Sequence, residues 1–169
     1  MRFTVTQRFP TSRDEVLGMY TGTDMWSQLS GFTKVSAPEV VDHSRAGSLV
    51  TLRLASEGWR ISSGFIAGLP AAATALIDPR KLVWVEETVT DLGNGTATVS
   101  FRPEHYANKL SATARVDYGE ARGSATRRVV GDLKVNVFLV GSQVERAISS
   151  GLSEHLAEEE RAVRSLPAA

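Results

Sequence analysis

Two carboxylates and a histidine–tyrosine pair are the residues whose types and positions best fit chemistry. Glu86 and Glu87 lie side by side in a predicted strand, so only one of them can face the interior. A carboxyl group among apolar walls has a raised pKa and can anchor a polar group or act as a general base. His105 and Tyr106 adjoin in a predicted turn, and both side chains can transfer protons. Glu87 and His105 are therefore the first pair to examine for acid–base chemistry, with Tyr106 beside them.

Each candidate also has a purely structural interpretation. An outward carboxylate would pair with an arginine of a neighbouring strand, and a His–Tyr pair in a turn would lie at the mouth of a cavity. His155 and Glu159 share one helical face and could pair, but the acidic run 158–160 favours a solvent-exposed face. Arg127 and Arg128 fall in a strand, so one points inward and the other outward.

Several kinds of site are excluded by what the sequence lacks. The chain has three His and no Cys, and no two His have the spacing of metal ligands. The serine nucleophile elbow, the phosphate-binding loop and the glycine-rich dinucleotide motif are absent. We therefore assign no catalytic residue, expect no metal or cofactor, and favour a binding function over catalysis.

Composition and charge fit one globular domain covering residues 1–169. The 19 basic and 19 acidic residues cancel, which argues against a nucleic-acid partner. No stretch reaches the roughly 18 apolar residues of a membrane span, and the N-terminus lacks the apolar region of a signal peptide. We expect a cytoplasmic protein without membrane insertion; the sequence does not predict its oligomeric state.

The candidate residues are positioned by a long C-terminal helix and a set of strands. Apolar residues recur at helical spacing over 142–166, and Ser142 and Glu145 have the spacing of a capping box. Short helices are predicted over 13–20, where Ser12 and Glu15 form a second capping box, and over 24–29. Strands are predicted over 3–9, 33–42, 49–54, 82–90, 96–103, 110–118 and 126–137, with a hairpin turn at 91–95.

Alternation along the strands indicates an antiparallel sheet with one apolar face. Only the long helix can cover that face, so we predict an α+β fold in which a curved antiparallel sheet of about six to seven strands wraps around the C-terminal helix. The segment 57–80 is predicted to extend a strand and then form a short Ala-rich helix, and 64–77 is a candidate lid.

The residues expected on the inner face, lining a cavity or filling a solid core, are Trp59, Phe65, Leu69, Trp84, Phe101, Leu110, Val116, Leu133, Val135, Val144, Ile148 and Leu152.

The chain resembles the START-like superfamily (SRPBCC, with the helix-grip or Bet v 1-like fold), and within it a bacterial family of unknown function. The segments that carry the resemblance are Phe3-Thr4-Val5, Phe9-Pro10, 34–40, Leu82-Val83-Trp84-Val85-Glu86-Glu87, Pro103-Glu104-His105-Tyr106-Ala107, Gly131-Asp132-Leu133-Lys134-Val135 and 140–145. The resemblance implies an elongated cavity between sheet and helix. It also implies a ligand of the lipid, sterol, polyketide or aromatic type, with cyclase or hydrolase activity in a minority of members.

Three functions follow as hypotheses. The leading one is binding or carriage of a hydrophobic small molecule, which would be the partner of this chain. The second is a cyclase- or hydrolase-type enzyme that uses a cavity carboxylate and a histidine. The third is an interaction module whose core is filled.

Overall fold

The computed structural model describes residues 1–33, 35–56 and 83–167, together with Ala71, Ala75, Leu76, Asp78 and Lys81. Most of the predicted lid, and the expected lining residues Trp59, Phe65 and Leu69, lie outside the described residues. The elements are β1 (Arg2–Phe9), α1 (Arg13–Thr21), α2 (Asp24–Gln28), β2 (Glu39–Ala46), β3 (Leu49–Ser56), β4 (Trp84–Asp91), β5 (Thr96–Pro103), β6 (Leu110–Ala121), β7 (Ser124–Val135) and α3 (Gly141–Arg164).

The seven strands form one curved antiparallel sheet in the order β1-β7-β6-β5-β4-β3-β2. From β2 to β7, strands that follow each other in sequence are neighbours in the sheet. β1 pairs with β7, and this register places Phe3 opposite Gly131. The predicted fold is confirmed: α3 packs on β1 and β7, and the two short helices follow the first strand.

Side-chain alternation decides which face of the sheet is covered. In β6, Ala114, Val116 and Tyr118 are buried, whereas Thr113 and Arg115, which alternate with them, are exposed. β7 repeats the pattern, with Val129 buried and Arg128 exposed. The buried face meets α3 through Val144, Ile148 and Val163, which recur at helical spacing.

The two predicted capping boxes have different outcomes. At α1 the box is confirmed, because the Ser12 hydroxyl accepts from the Glu15 amide at 3.2 Å and Glu15 accepts from the Ser12 amide at 3.4 Å. At α3 it is wrong: the N-cap is Val140, with no side-chain cap. Glu145 instead accepts a hydrogen bond, at 2.9 Å, from the backbone N–H of Val135. This bond satisfies the last backbone donor of β7.

Strand bounds differ from the prediction in several places, among them β2 and β7. β2 begins at Glu39, directly after Pro38, because proline has no N–H to donate to a ladder, and it continues to Ala46. β7 runs over Ser124–Val135, which is displaced by two residues from the predicted 126–137. The predicted turn between β4 and β5 is confirmed, since the Asp91 carboxylate accepts from the Gly93 amide at 2.9 Å and Gly95 has φ of +63°.

No helix in the described parts of the chain is both long and apolar enough to cross a bilayer.

Candidate functional site

A cavity of about 70 Å³ lies between the sheet and α3. Its walls are mostly apolar, with aromatic rings from four parts of the chain and a group of polar side chains. The aromatic residues are Phe3, Trp26, Phe32, Trp84 and Phe101; the aliphatic ones are Val35, Pro38, Leu54, Val99, Ala114, Val129, Leu152 and Leu156; the polar ones are Ser36, Ser56, Glu86, Arg127, His155 and Glu159.

A second cavity of about 40 Å³ adjoins the first. Trp84, Phe101 and Leu152 line both cavities, so these three side chains separate the two spaces. The remaining walls of the second cavity are apolar and consist of Pro103, Leu110, Ala112, Leu133 and Ile148.

The polar wall of the first cavity is organised around Arg127, which is 7% exposed. Its Nη1 donates to Gln7 Oε1 at 2.6 Å and lies 3.4 Å from Glu159 Oε1, and its Nε donates to the Tyr118 hydroxyl at 3.3 Å. The Tyr20 hydroxyl donates to the same Glu159 oxygen at 2.7 Å. The buried guanidinium therefore has both a countercharge and neutral acceptors, which a buried ion pair needs to be tolerated.

Aromatic packing completes the surroundings of this ion pair. The guanidinium carbon of Arg127 lies 4.2 Å from the centre of the Tyr20 ring, a cation–π distance. Burial, followed by the Glu159 charge, raises the pKa of Tyr20, and burial likewise raises the pKa of Tyr118. Burial alone would lower the pKa of Arg127, but Tyr118, Tyr20 and Glu159 together hold it above its usual range. The tyrosines thus stay neutral and the arginine stays charged near neutral pH.

Glu86 is the second carboxyl group that faces the cavity. Its hydrogen-bond donor is the Thr88 hydroxyl, at 3.3 Å. Burial raises the pKa of Glu86 to about 7, and the nearby charge of Glu159 adds to the effect. A carboxyl group that titrates near neutrality inside a cavity can donate, accept or transfer a proton.

Glu87, the first carboxylate to examine from the sequence, lies on the opposite face of β4, and its outward pairing with an arginine of a neighbouring strand is the structural interpretation given for it above. Arg53 Nε donates to its carboxylate at 2.6 Å, and Arg102 Nη2 lies 3.6 Å away. The hydrogen bond from Arg53 lowers the pKa of Glu87. Neighbouring residues of a strand face opposite sides of the sheet, so only one of Glu86 and Glu87 can face the interior. In β4, paired with β3 in its observed register, that residue is Glu86.

His105 and Tyr106 do not join the cavity either. His105 is exposed. Tyr106 is half-buried, has φ of +64°, and its hydroxyl accepts from the Asp78 amide at 2.9 Å. Neither lines the two cavities formed by the described residues. The predicted acid–base pair of Glu87 and His105 is therefore not assembled, and Tyr106 supports a loop.

The expected inner-face residues of the described segments are all on the covered face. Leu110, Leu133 and Ile148 line the second cavity, while Trp84, Phe101 and Leu152 line both. Val116, Val135 and Val144 are buried in the surrounding core and line neither cavity.

His155 faces the cavity from α3, next to Phe32, whose ring centre is 4.9 Å from that of the imidazole. Burial lowers the pKa of His155, so the ring is neutral near pH 7. Its Nδ1 is buried, and no hydrogen-bond partner for it is found among the described residues.

Two further buried polar atoms also have no hydrogen-bond partner among the described residues. They are the indole nitrogen of Trp26 and the hydroxyl of Ser36, and both belong to residues of the same cavity wall. Trp26 is only 6% exposed. An unpaired buried polar group costs about 1–3 kcal/mol, so three of them at one small cavity point to a group that would occupy the space between them.

Sequence reasoning missed the residues at the centre of the polar wall. The acidic run 158–160 favours solvent exposure, yet Glu159 is 5% exposed. The signal that identifies these residues is position: Gln7 alternates with Phe9 on β1, Arg127 alternates with Val129 on β7, and both pairs are buried. A polar side chain at an inward position of an apolar face is unusual and needs partners.

Comparison with known proteins gives a family and a fold. A family model described as "Protein of unknown function (DUF2505)" matches residues 4–166. No curated protein matches the sequence.

Several solved structures superpose over nearly the whole chain. The protein TTHA0849 from Thermus thermophilus has a TM-score of 0.64 at 14% identity, covering 96% of this chain and 97% of that one. The Zhui aromatase/cyclase from Streptomyces sp. R1128 has 0.61 at 8%, covering 97% and 91%. A START superfamily protein from Mycobacterium smegmatis has 0.57 at 14%, covering 98% and 99%. The START-like fold is thereby confirmed.

Proposed function

This chain belongs to the family of proteins of unknown function (DUF2505), and we propose that it binds a small hydrophobic molecule between the sheet and α3. The observation that carries the proposal is the set of unpaired polar atoms of Trp26, Ser36 and His155 at one apolar cavity. A bound molecule with its own polar group would satisfy them. The sequence-based expectation of a hydrophobic partner leads to the same proposal.

The two described cavities are small for a ligand-binding pocket. Ligand pockets typically measure about 300–1,000 Å³, whereas the two cavities measure about 70 and 40 Å³. A ligand that occupies both must displace side chains shared by the two cavities, of which Leu152 is the smallest. The lid predicted over 64–77, with Trp59, Phe65 and Leu69, stays a prediction.

The chemistry of the walls favours an aromatic or polyketide-like molecule over a long acyl chain. Trp84 and Phe101 offer flat surfaces on both sides of the junction between the cavities, and aromatic pairs gain about 0.5–1.5 kcal/mol beyond area burial. Burial of apolar ligand surface contributes about 25 cal/mol per Å² before entropy costs. A structural neighbour described as an aromatase/cyclase supports this class of ligand.

Native mass spectrometry of the protein purified from its own host tests the proposal, followed by titration with the neutral fluorescent probe N-phenyl-1-naphthylamine. Ala114 lines the cavity and Thr113 faces solvent, so Ala114→Phe fills the site and Thr113→Phe is its matched control. We expect Ala114→Phe to weaken probe binding by about tenfold or more, equivalent to about 1.4 kcal/mol. Leu152→Trp provides a second filling variant.

Far-UV circular dichroism establishes that the variants are folded. Absence of a co-purified molecule, together with no probe binding by the wild-type protein, would contradict the proposal and favour an interaction module with a filled core. Equal binding by wild type and both filling variants would place the probe elsewhere and would also contradict it.

One observation favours a second candidate function, a cyclase- or hydrolase-type enzyme. Glu86 has a pKa of about 7 and faces the cavity, which suits a general acid or base at neutral pH. For an enzyme, Glu86→Gln would abolish turnover of the co-purified molecule while its binding persists. Unchanged turnover would exclude Glu86 from the chemistry. The cytoplasmic location and the lack of a nucleic-acid partner remain predictions from the sequence.

A further inference from the structure

The carboxyl groups of the cavity outnumber its cations. Glu86 and Glu159 both line it, and Arg127 is the only Lys or Arg among its described lining residues. Arg127 is already paired with Glu159 at 3.4 Å, and its Nε and Nη1 are engaged by Tyr118 and Gln7. Within the described residues no cation pairs with Glu86, whose hydrogen bond comes from Thr88. The described part of the cavity wall therefore carries one carboxyl group more than it has cations.

We propose that the ligand is a hydrophobic amine, with a protonated nitrogen that pairs with Glu86 and an oxygen that accepts a hydrogen bond from Trp26 Nε1. The inference rests on the proposed function and narrows its ligand class. Trp26 calls for an acceptor, which the oxygen supplies, because indole is a donor only and this donor is buried and unpaired. Ser36 and His155 can each accept from an ammonium group.

The remaining walls suit a cation better than an anion. Aromatic rings attract cations through their faces, and five of the described lining residues are aromatic. Among the described lining residues, an anion would meet two carboxyl groups and a single guanidinium, which is already neutralised by Glu159. Like charges in a buried site repel strongly because the medium screens them poorly.

The charge state of Glu86 gives the binding a defined pH dependence. Among the described residues, the titratable groups that face it are Glu159 and His155 on α3, Arg127 on β7 and Tyr118 on β6. Arg127 stays charged, and Tyr118 and His155 stay neutral, near pH 7. Because the pKa of Glu86 is about 7, its carboxylate form increases from a minority to the majority between pH 6 and 8. Affinity for an amine should rise with pH by up to about tenfold over this interval.

The test compares three probes that share a phenyl ring and a benzylic hydroxyl. They are 2-amino-1-phenylethanol, 1-phenylethane-1,2-diol and mandelate, which end in a cation, a neutral hydroxyl and an anion. Isothermal titration at about pH 6 and about pH 8 gives the six affinities. We expect the amine to bind at least about tenfold more tightly than the diol at pH 8, with mandelate weakest.

Two variants identify the carboxyl group responsible. Glu86→Gln should reduce the preference for the amine over the diol to about threefold or less and remove its pH dependence. Glu87→Gln, on the opposite face of the same strand, should leave both unchanged. Trp26→Phe should weaken all three probes, since each contains the hydroxyl that the indole would bind.

The outcomes separate this inference from the proposed function. If the diol or mandelate binds as tightly as the amine, or if none of the three binds while N-phenyl-1-naphthylamine does, the amine inference is wrong and hydrophobic binding stands. A preference for the amine that survives in Glu86→Gln also overturns it. If the naphthylamine fails as well, both proposals fail.

Discussion

One step along strand β4 separates two glutamates with opposite properties. Glu86 faces a cavity, and burial raises its pKa to about 7. Glu87 faces the outer surface, where the Arg53 guanidinium lowers its pKa. The sequence presents both as equivalent neighbours, so only the face of the strand distinguishes a candidate binding group from a surface ion pair.

Because the pKa of Glu86 is raised in the folded protein, the contribution of this group to the free energy of unfolding should fall as pH rises. The folded pKa exceeds the ordinary value of 4.5, so this contribution to stability is fully present below pH 4.5 and is lost as pH rises through about 7. Glu86→Gln should abolish the loss and make the variant about 1–3 kcal/mol more stable than wild type at about pH 8, with little difference at about pH 4.5. Urea unfolding at both pH values measures this.

Glu87→Gln is the matched control and should behave in the opposite sense. Its folded pKa is lowered, so the carboxylate stabilises the protein above the ordinary pKa and that contribution is lost on acidification. The variant should be less stable than wild type at neutral pH and similar to it in acid. Identical pH profiles for the two variants would contradict the assignment of Glu86 to the interior.

At the level of elements, the pairing of β1 with β7 depends on a glycine. Phe3 lies opposite Gly131, and its ring occupies the position that a Cβ on residue 131 would take. Phe3 also lines the cavity, so this close approach helps to set the cavity wall. A glycine inside a strand weakens it, and contact with an aromatic ring is a physical reason for its presence.

Gly131→Ala should therefore destabilise the protein by about 1–3 kcal/mol through overpacking. Adding Phe3→Leu should recover part of the loss, since the smaller side chain leaves room for the new methyl group. Urea unfolding of both single variants and the double variant gives the coupling energy. Lys134→Ala, at an exposed position of the same strand, is the control. Additive effects of the two substitutions would show that the ring and the glycine do not compete for space.

Across the whole molecule, the polar cluster at Arg127 joins distant parts of the chain. Gln7 comes from β1, Tyr20 from α1 and Glu159 from α3, and all three make hydrogen bonds within the cluster. Gln7 also donates to the Leu156 carbonyl at 2.7 Å. These hydrogen bonds define the position of α3 on the sheet more specifically than apolar contacts alone would.

Removing both charges of the cluster should cost less than the sum of the two single removals. Arg127→Met or Glu159→Leu leaves a buried, uncompensated charge and should destabilise the protein by about 3–5 kcal/mol each. The double variant replaces the pair with apolar groups and should cost less than the sum by about 2 kcal/mol or more. Chemical denaturation measures the four proteins. A fully additive double variant would mean that the two side chains do not interact.

The sequence by itself determined the fold. Alternation in β6 and β7, helical spacing in α3, the turn at Asp91 and the cap at Ser12 act over a few residues, and the structure shows each of them. Hydrophobic periodicity is a local property, so a single sequence reveals it. The cap expected at Ser142 failed because Glu145 binds the end of β7, a partner outside the helix.

The composition of the site was decided only by the tertiary structure. Which of Glu86 and Glu87 lines the cavity depended on which face of β4 meets α3. Glu159 is buried because Arg127, Gln7 and Tyr20 all contact its carboxylate. A charged side chain is stable inside only when its partners are in place. Those partners are more than 30 residues away along the chain, so folding brings them together and local pattern does not encode the contact.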